Sequence, residues 1–324
     1  LTGVVVAQTS DGGAWKITLT VAGRPGDDVV ASAGLVARHL PRLLGAGATM
    51  TTDARTTATP IDLVNVFFAN APKDGAAILL APTNIAFSQA LGAQGVTYDA
   101  GKLGWIGSLS HAPYTLATSW VTGFKSLEDG RRREMDLGAI GETGAAAWYP
   151  AILNAMLRTR FRVATIFRSD KEIDAAIENG EIGGRIASWS ALSFARPPLL
   201  AQNKLNFLVQ IGQSKIEAFG AAPLLTDIVT APADRAVATF ISADAGHGRA
   251  LALPPGAPAE VVARYRKAFE AMVADPAFIE DARNARIEVS AVNGEATEKA
   301  VAAELATPLD AVKRAQAAMK AASP

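Results

Sequence analysis

KITLTVAGRPGDDVVASAGLVARHLPRLL, residues 16–44, reads as a strand, a tight loop and a helix. Ile17, Thr18, Leu19, Thr20 and Val21 are apolar or β-branched with no breaker among them, while Val29, Val36, Leu40 and Leu43 fall on one helical face. The loop between carries Gly23, Arg24, Pro25, Gly26, Asp27 and Asp28 and therefore lies over a helix N-terminus. Backbone N–H groups there lack intrahelical partners and the dipole is positive, which makes such a loop a common ligand seat in α/β proteins.

Further units follow in the same rhythm. Strands are expected at 48–53 and 76–81 and helices at 61–70 and 84–91, with Thr83 or Asn84 as the second helix's cap. Three strand-loop-helix repeats in a row predict a mostly parallel sheet. The rhythm breaks at 103–119, which reads as a crossover, and resumes with strands at 136–140, 162–166, 185–189 and 206–211 and helices at 144–157, 170–179 and 234–242. Ser169 and Glu172 have capping-box spacing. After a strand at 249–253 the chain is mainly helical, and this tail is expected to return to the first domain. The predicted fold class is thus α/β, in two lobes that each hold a mostly parallel sheet flanked by helices. A lead at 1–15 precedes domain 1 (16–118 with 248–324) and domain 2 (119–247). Two crossings between lobes imply a hinge.

Composition bounds the function. Hydrophobic residues make up 49% and charged residues 19% of 324, enough for two cores, and the formal net charge is zero. A neutral chain whose single dense basic run is Arg131, Arg132 and Arg133 lacks a nucleic-acid footprint. The absence of cysteine excludes thiol catalysis, zinc thiolate sites and disulfides. No apolar run approaches the ~20 residues of a membrane-spanning helix. LTGVVVAQ at the N-terminus resembles the end of a signal segment, with Val5-Val6-Ala7 as a small-residue cleavage site, so export is expected; a trimmed end with a stray apolar stretch is the alternative.

No catalytic motif is present. There is no G-K-[ST] loop, no G-x-S-x-G elbow and no H-E-x-x-H, and His39, His111 and His247 lie in separate segments. No catalytic residue, metal or cofactor is therefore expected. Trp148, Tyr149 and Trp189 are candidates for lining a pocket, with core packing as the alternative.

Taken in order, ITLTVAG, LVARHLP, NAPKDG, LGWIGS, YPAILNAML, LVQIG and LPPGAPAEVVARYRKAFEAMVADPAF resemble the tripartite tricarboxylate transporter receptors, or Bug family. The resemblance implies a monomeric periplasmic solute-binding protein of the type II Venus-flytrap kind, which hands a small organic acid to a membrane permease of that transporter type. It implies a carboxylate held by two domain-1 loops, here 23–28 and Thr56, Thr57, Ala58, Thr59 and Pro60. Domain 2 adds Gly141, Glu142, Thr143, Gly144 and Ala145 and the turn Phe167, Arg168, Ser169 and Asp170. The chain departs from the pattern in three places. Asp27 and Asp28 stand where the family carries glycines, with its helix-opening Asp falling on Val30; TTATP replaces P-G-A-G-G, so Pro60 removes an amide donor; and Gly183 replaces the Asp of a V-D-G turn. Either both aspartates face the cleft and oppose an anion, or Asp28 caps the helix and Asp27 points to solvent. Arg24 and Arg55 would supply charge in place of amide dipoles, unless they pair with Asp27 or Asp28 and with Asp53. The alternative function is a periplasmic sensor or partner-binding protein for a neutral or amine-bearing ligand.

Overall fold

The computed structural model describes residues 15–56, 59–111, 113–142, 144–195 and 197–321. The expected signal remnant thus lies almost wholly outside the described residues. Eleven strands are assigned among them: β1 (Lys16–Ala22), β2 (Thr49–Arg55), β3 (Ala77–Leu80), β4 (Gly104–Ser108), β5 (Tyr114–Ser119), β6 (Met135–Gly138), β7 (Phe161–Ala164), β8 (Gly184–Ser188), β9 (Leu205–Ile211), β10 (Ala250–Leu253) and β11 (Val292–Asn293). They form two mixed sheets. The first has the order β11-β4-β10-β3-β1-β2 and the second β7-β6-β8-β5-β9.

Strand direction decides where ligand-facing loops gather. In the first sheet β1 runs parallel to β2 and β3, while β10 is antiparallel to β3 and β4. The C-terminal ends of β1, β2, β3 and β4 therefore share an edge with the start of β10. In the second sheet β6 is parallel to β7 and β8, and β5 is antiparallel to β8 and β9. The C-terminal ends of β6, β7, β8 and β9 thus share an edge with the start of β5. Because β4 ends at Ser108 and β5 begins at Tyr114, the short crossing 109–113 sets these two edges against each other.

Each sheet is buried by helices on apolar grounds legible in the chain. Ile17, Leu19 and Val21 alternate inward on β1 and pack with Leu35 and Val36 of the first helix, which spans Asp28–His39, and with its C-cap Leu40, before the break at Pro41. All four residues of β3 are buried, as expected for a strand covered on both faces. The second lobe centres on Leu137, Tyr149, Leu153, Ile186 and Val209.

Three details differ from expectation. Strand β8 stops at Ser188, and Trp189 opens a helix instead, Trp189–Ala195. All of β5 pairs within the second sheet, so the expected boundary at 118 falls inside a strand of that sheet. The last helix, Leu309–Ala321, does not return to the first lobe. Ala311, Val312, Ala315 and Ala318 join the second lobe's core and Arg314 pairs with Asp234 of that lobe, while Gln316 donates to Leu91 O, at the end of the first-lobe helix that enters the same core, at 2.6 Å.

Two aromatic side chains cross between lobes. Phe87, on the first lobe's helix Ile85–Ala90, joins the second lobe's core, and Phe194 of the second lobe packs against the first lobe's core beside Val29 and Val30.

Candidate functional site

The loop after β1 is built by its own turn. Asp27 N–H donates to Arg24 O at 3.0 Å, and Arg24 N–H donates to Asp27 Oδ2 at 2.7 Å. Asp27 occupies the N-cap of the helix Asp28–His39, yet its carboxylate turns back into the loop and accepts nothing from the helix. Asp28 is the first helical residue, and its carboxylate meets the guanidinium of Arg249 at the start of β10. The expectation that Asp28 caps the helix is thereby corrected, since Asp27 holds the N-cap position and a buried arginine draws Asp28 down; Asp27 is exposed, with a loop amide donating to its carboxylate.

Arg24 pairs with neither aspartate through its guanidinium. Its Nη1 instead donates to Arg168 O, 3.4 Å away on the opposite lobe. Arg55 is committed otherwise, because its Nε and Nη2 both lie 2.7 Å from Asp53 Oδ2, two residues back on the same strand. Gly23 N–H donates to Arg55 O at 3.3 Å, so the two loops are adjacent at their roots. Thr56 is exposed, and Thr59 caps the helix Pro60–Asn70 by accepting from Asp62 N–H at 3.1 Å. Thr83 Oγ1 donates to Gly248 O at 2.9 Å, tying the β3 loop to the segment before β10, and Asn84 is the N-cap of Ile85–Ala90 without a side-chain bond. Thr57, Ala58 and Thr143 lie outside the described residues.

On the second lobe, Gly144 caps the helix Ala145–Leu157 with φ of +96°, a conformation that suits glycine. Gly141 also has positive φ, and Glu142 O accepts from Trp148 Nε1 at 3.1 Å. The half-buried Trp148 ring lies 5.8 Å from that of Phe87, the first-lobe side chain that enters the second lobe's core. Arg168 N–H donates to Glu172 Oε2 at 2.8 Å and Ser169 Oγ accepts from Glu172 N–H at 3.3 Å, the capping pair expected from spacing. Asp170 and Asp174 both hold the buried Arg185. Burial pushes the Asp174 carboxyl up to about 6, against the pull of Arg185.

Of three further candidates, Tyr149 is a core residue, while Phe167 and Trp189 are half-buried against second-lobe clusters. Tyr149 is wholly buried and its hydroxyl is shared by Ile241 O and Asp244 Oδ2. Phe167 packs on Ile173, Ala176, Ile177 and Ile182. Trp189 stacks edge-on to Phe219 at 5.7 Å. An open groove of about 610 Å³ lined by Lys125, Glu128, Arg131, Phe207 and Phe219 lies at the far edge of the second sheet, away from the facing loops.

Sequence reasoning missed two constellations at the lobe junction. Arg249 bonds to Ser110 Oγ (3.4 Å, through Nη1) as well as to Asp28, and its backbone N–H donates to Ser108 Oγ at 3.2 Å. Beside it Asp244, His247 and Glu304 are buried, with His247 Nε2 at 2.7 Å from Glu304 Oε2. Burial, reinforced by the Glu304 charge, pushes the Asp244 carboxyl up to about 8. Burial alone would lower His247, but Glu304 and Asp244 raise it. Among the described residues no group of three or more metal-binding side chains converges, and no helix is long and apolar enough to cross a membrane.

No family model and no curated protein matches the chain. Solved structures do. A TctC solute-binding protein from Polaromonas superposes with a TM-score of 0.69 at 16% identity, over 90% of this chain and 95% of that one. MatC from Rhodopseudomonas palustris with bound malate gives 0.66 at 14% identity, over 92% and 98%. A further R. palustris protein, with adipate, gives 0.65 at 16% identity, over 93% and 97%. The chain has the two-lobed periplasmic-binding-protein fold.

Proposed function

We propose that the protein is a periplasmic receptor that captures a small organic acid between its lobes for delivery to a tripartite tricarboxylate-type permease. The observation that carries this reading is the approach of Arg24 to Arg168 across the two facing sheet edges. The Arg24 guanidinium, on a loop beside a helix start, reaches only a backbone carbonyl of the opposite lobe and so keeps most of its donors, and a guanidinium binds a carboxylate through paired hydrogen bonds. The likeness to structures that hold malate and adipate supports the same ligand class.

In this reading the site comprises Gly23, Arg24, Pro25 and Gly26 on the first lobe, with Thr83 and Asn84 at its flank. Gly141, Glu142, Gly144, Ala145, Trp148, Arg168 and Ser169 face them. Arg55 is left out because Asp53 holds it. The moving units divide at 109–113 and 244–249, with the last helix riding on the second lobe. The ligand touches both lobes and so shifts the population towards the closed form, presenting a joined surface to the permease. The receptor acts as an exported monomer and performs no chemistry on its ligand.

A thermal-shift screen against aliphatic and aromatic carboxylates, with amine and neutral analogues alongside, tests the proposal. At ~100 times its dissociation constant a ligand stabilises by about 2.7 kcal/mol, which is a rise of several degrees. A rise with an acid is expected. No rise with any acid, or a rise confined to amines and neutral compounds, would favour the sensor reading instead.

A further inference from the structure

Arg249 is an unusual residue to find at the root of a ligand cleft. Its side chain is 6% exposed, and the one carboxylate it holds is that of Asp28, itself only 23% exposed. A lone buried guanidinium is costly, and one carboxylate beside a second hydroxyl partner satisfies it. Ser110 supplies that hydroxyl. The pair lies at the edge where β1, β3, β4 and β10 bring their loops together, four residues along the chain from Arg24. It also lies close to the crossing, since the Asp28 charge contributes to raising Tyr114 at the start of β5, after burial and the nearer acids. The carboxyl of Glu288 also feels Arg249: burial raises it and Arg249 partly restores it.

We infer that Asp28 occupies, as a built-in carboxylate, the seat in which Arg249 would otherwise receive an acid group of the ligand, so that the receptor selects monocarboxylates over dicarboxylates. This rests on the proposed function. Arg24, which reaches the opposite lobe at the backbone of Arg168, can engage one carboxylate. A second carboxylate reaching inward meets an arginine already neutralised and an aspartate of like charge. An uncharged ligand end meets a neutral ion pair and has no such opposition. The departure of the first loop from successive glycines then has a physical role: it narrows the ligand's charge to one. The malate-bound and adipate-bound structures of the same fold hold dicarboxylates, so the inference separates this chain from them.

The test is calorimetric titration with matched acids of equal carbon number, hexanoate against adipate and butanoate against succinate. The wild-type protein should bind the monoacid at least about tenfold more tightly than its diacid. Asp28→Asn, nearly isosteric and uncharged, releases Arg249 and should shift the ratio towards the diacid by about tenfold or more. Adding Arg249→Gln to that variant should cancel the gain, since the second carboxylate would have no partner. Wild-type protein that binds adipate as tightly as hexanoate would overturn the inference while leaving the receptor reading intact, and that comparison needs no variant to fold. An unchanged ratio in a folded Asp28→Asn protein would overturn it too. Failure of all four acids to bind would overturn the inference, and the receptor reading with it where the wider thermal-shift screen also finds no acid.

Discussion

The hydroxyl of Tyr149 lies 3.0 Å from Asp244 Oδ2, and neither residue exposes any surface. Tyr149 comes from the second lobe's helix, Asp244 from the return crossing, and Glu304, whose charge reinforces the shift of Asp244, from the helix Gly294–Leu305. Asp244 titrates near 8 when folded but in the ordinary carboxylate range when unfolded. Between those pH values the native state holds the extra proton, so stability falls as pH rises through the window. His247, also raised, acts in the same direction from its ordinary pKa upwards. Denaturant unfolding at about pH 5 and about pH 9 should show wild type losing on the order of a few kcal/mol, and Asp244→Asn losing much less. Equal losses in the two proteins would show that Asp244 is ionised throughout.

Phe87 belongs to the first lobe by sequence and to the second by packing. Its ring stacks on Phe240 at 4.5 Å and meets Tyr149 edge-on at 6.0 Å. Truncation to Ala removes a fully buried aromatic and should cost about 3–5 kcal/mol in urea unfolding. It should also loosen the joint, so that small-angle scattering reports a larger radius of gyration in the absence of ligand. A cost below about 1 kcal/mol would mean that the side chain is not buried between the lobes in solution.

The first strand, loop and helix start were readable because they rest on local rules, alternation along β1 and a glycine-rich turn; the helix expected to run on to Leu44 instead ends at His39 and restarts at Pro41. The facing of the site loops follows from strand direction once the repeats are recognised. Ion pairs escaped because their partners are distant in sequence. Nothing local to Asp28 announces Arg249, 221 positions away, or links His247 to Glu304, 57 positions on. Trp148 and Tyr149 show a different limit. They are neighbours on one helix with both rings near Phe87, at 5.8 and 6.0 Å, yet a rotation of about 100° per residue leaves Trp148 half-buried, bonded to Glu142 O, and Tyr149 wholly buried. Their likeness as aromatics carried no information on which was wholly buried. Asp53 and Arg55, by contrast, share a strand face at a spacing of two, and their pairing was among the readings the chain offered.

Gly144 combines φ of +96° with ψ of 174°, a region that residues bearing a Cβ enter only under strain. A Cβ there meets no atom within 4 Å, so the penalty is conformational, not steric crowding from neighbours. Gly144→Ala should lower stability by about 1–3 kcal/mol. If the start of the helix Ala145–Leu157 faces the ligand, affinity should fall as well, measured by titration with whichever acid raises the melting temperature. Unaltered affinity alongside lowered stability would remove this helix start from the site.

Arg24 and Arg55 sit on adjacent loops and look equivalent in the chain, yet their partners set them apart. The Arg55 guanidinium makes both of its contacts to Asp53, whereas that of Arg24 reaches a single backbone carbonyl on the other lobe. A guanidinium tied to a carboxylate gains little by taking a second one, while one held by a neutral carbonyl keeps most of its donors for an anion. Arg24→Ala should therefore weaken acid binding by about ten- to a hundredfold, the range expected for a charge-assisted pair of about 1.5–3 kcal/mol. Arg55→Ala should change affinity less than about threefold and stability less than about 1 kcal/mol, since its ion pair is exposed. Raising the salt concentration should narrow the gap between Arg24→Ala and wild type, because the lost interaction is electrostatic and the loop is open to solvent. If Arg55→Ala proved the more damaging variant, the carboxylate would be entering from the β2 side, with Asp53 giving up its partner to the ligand.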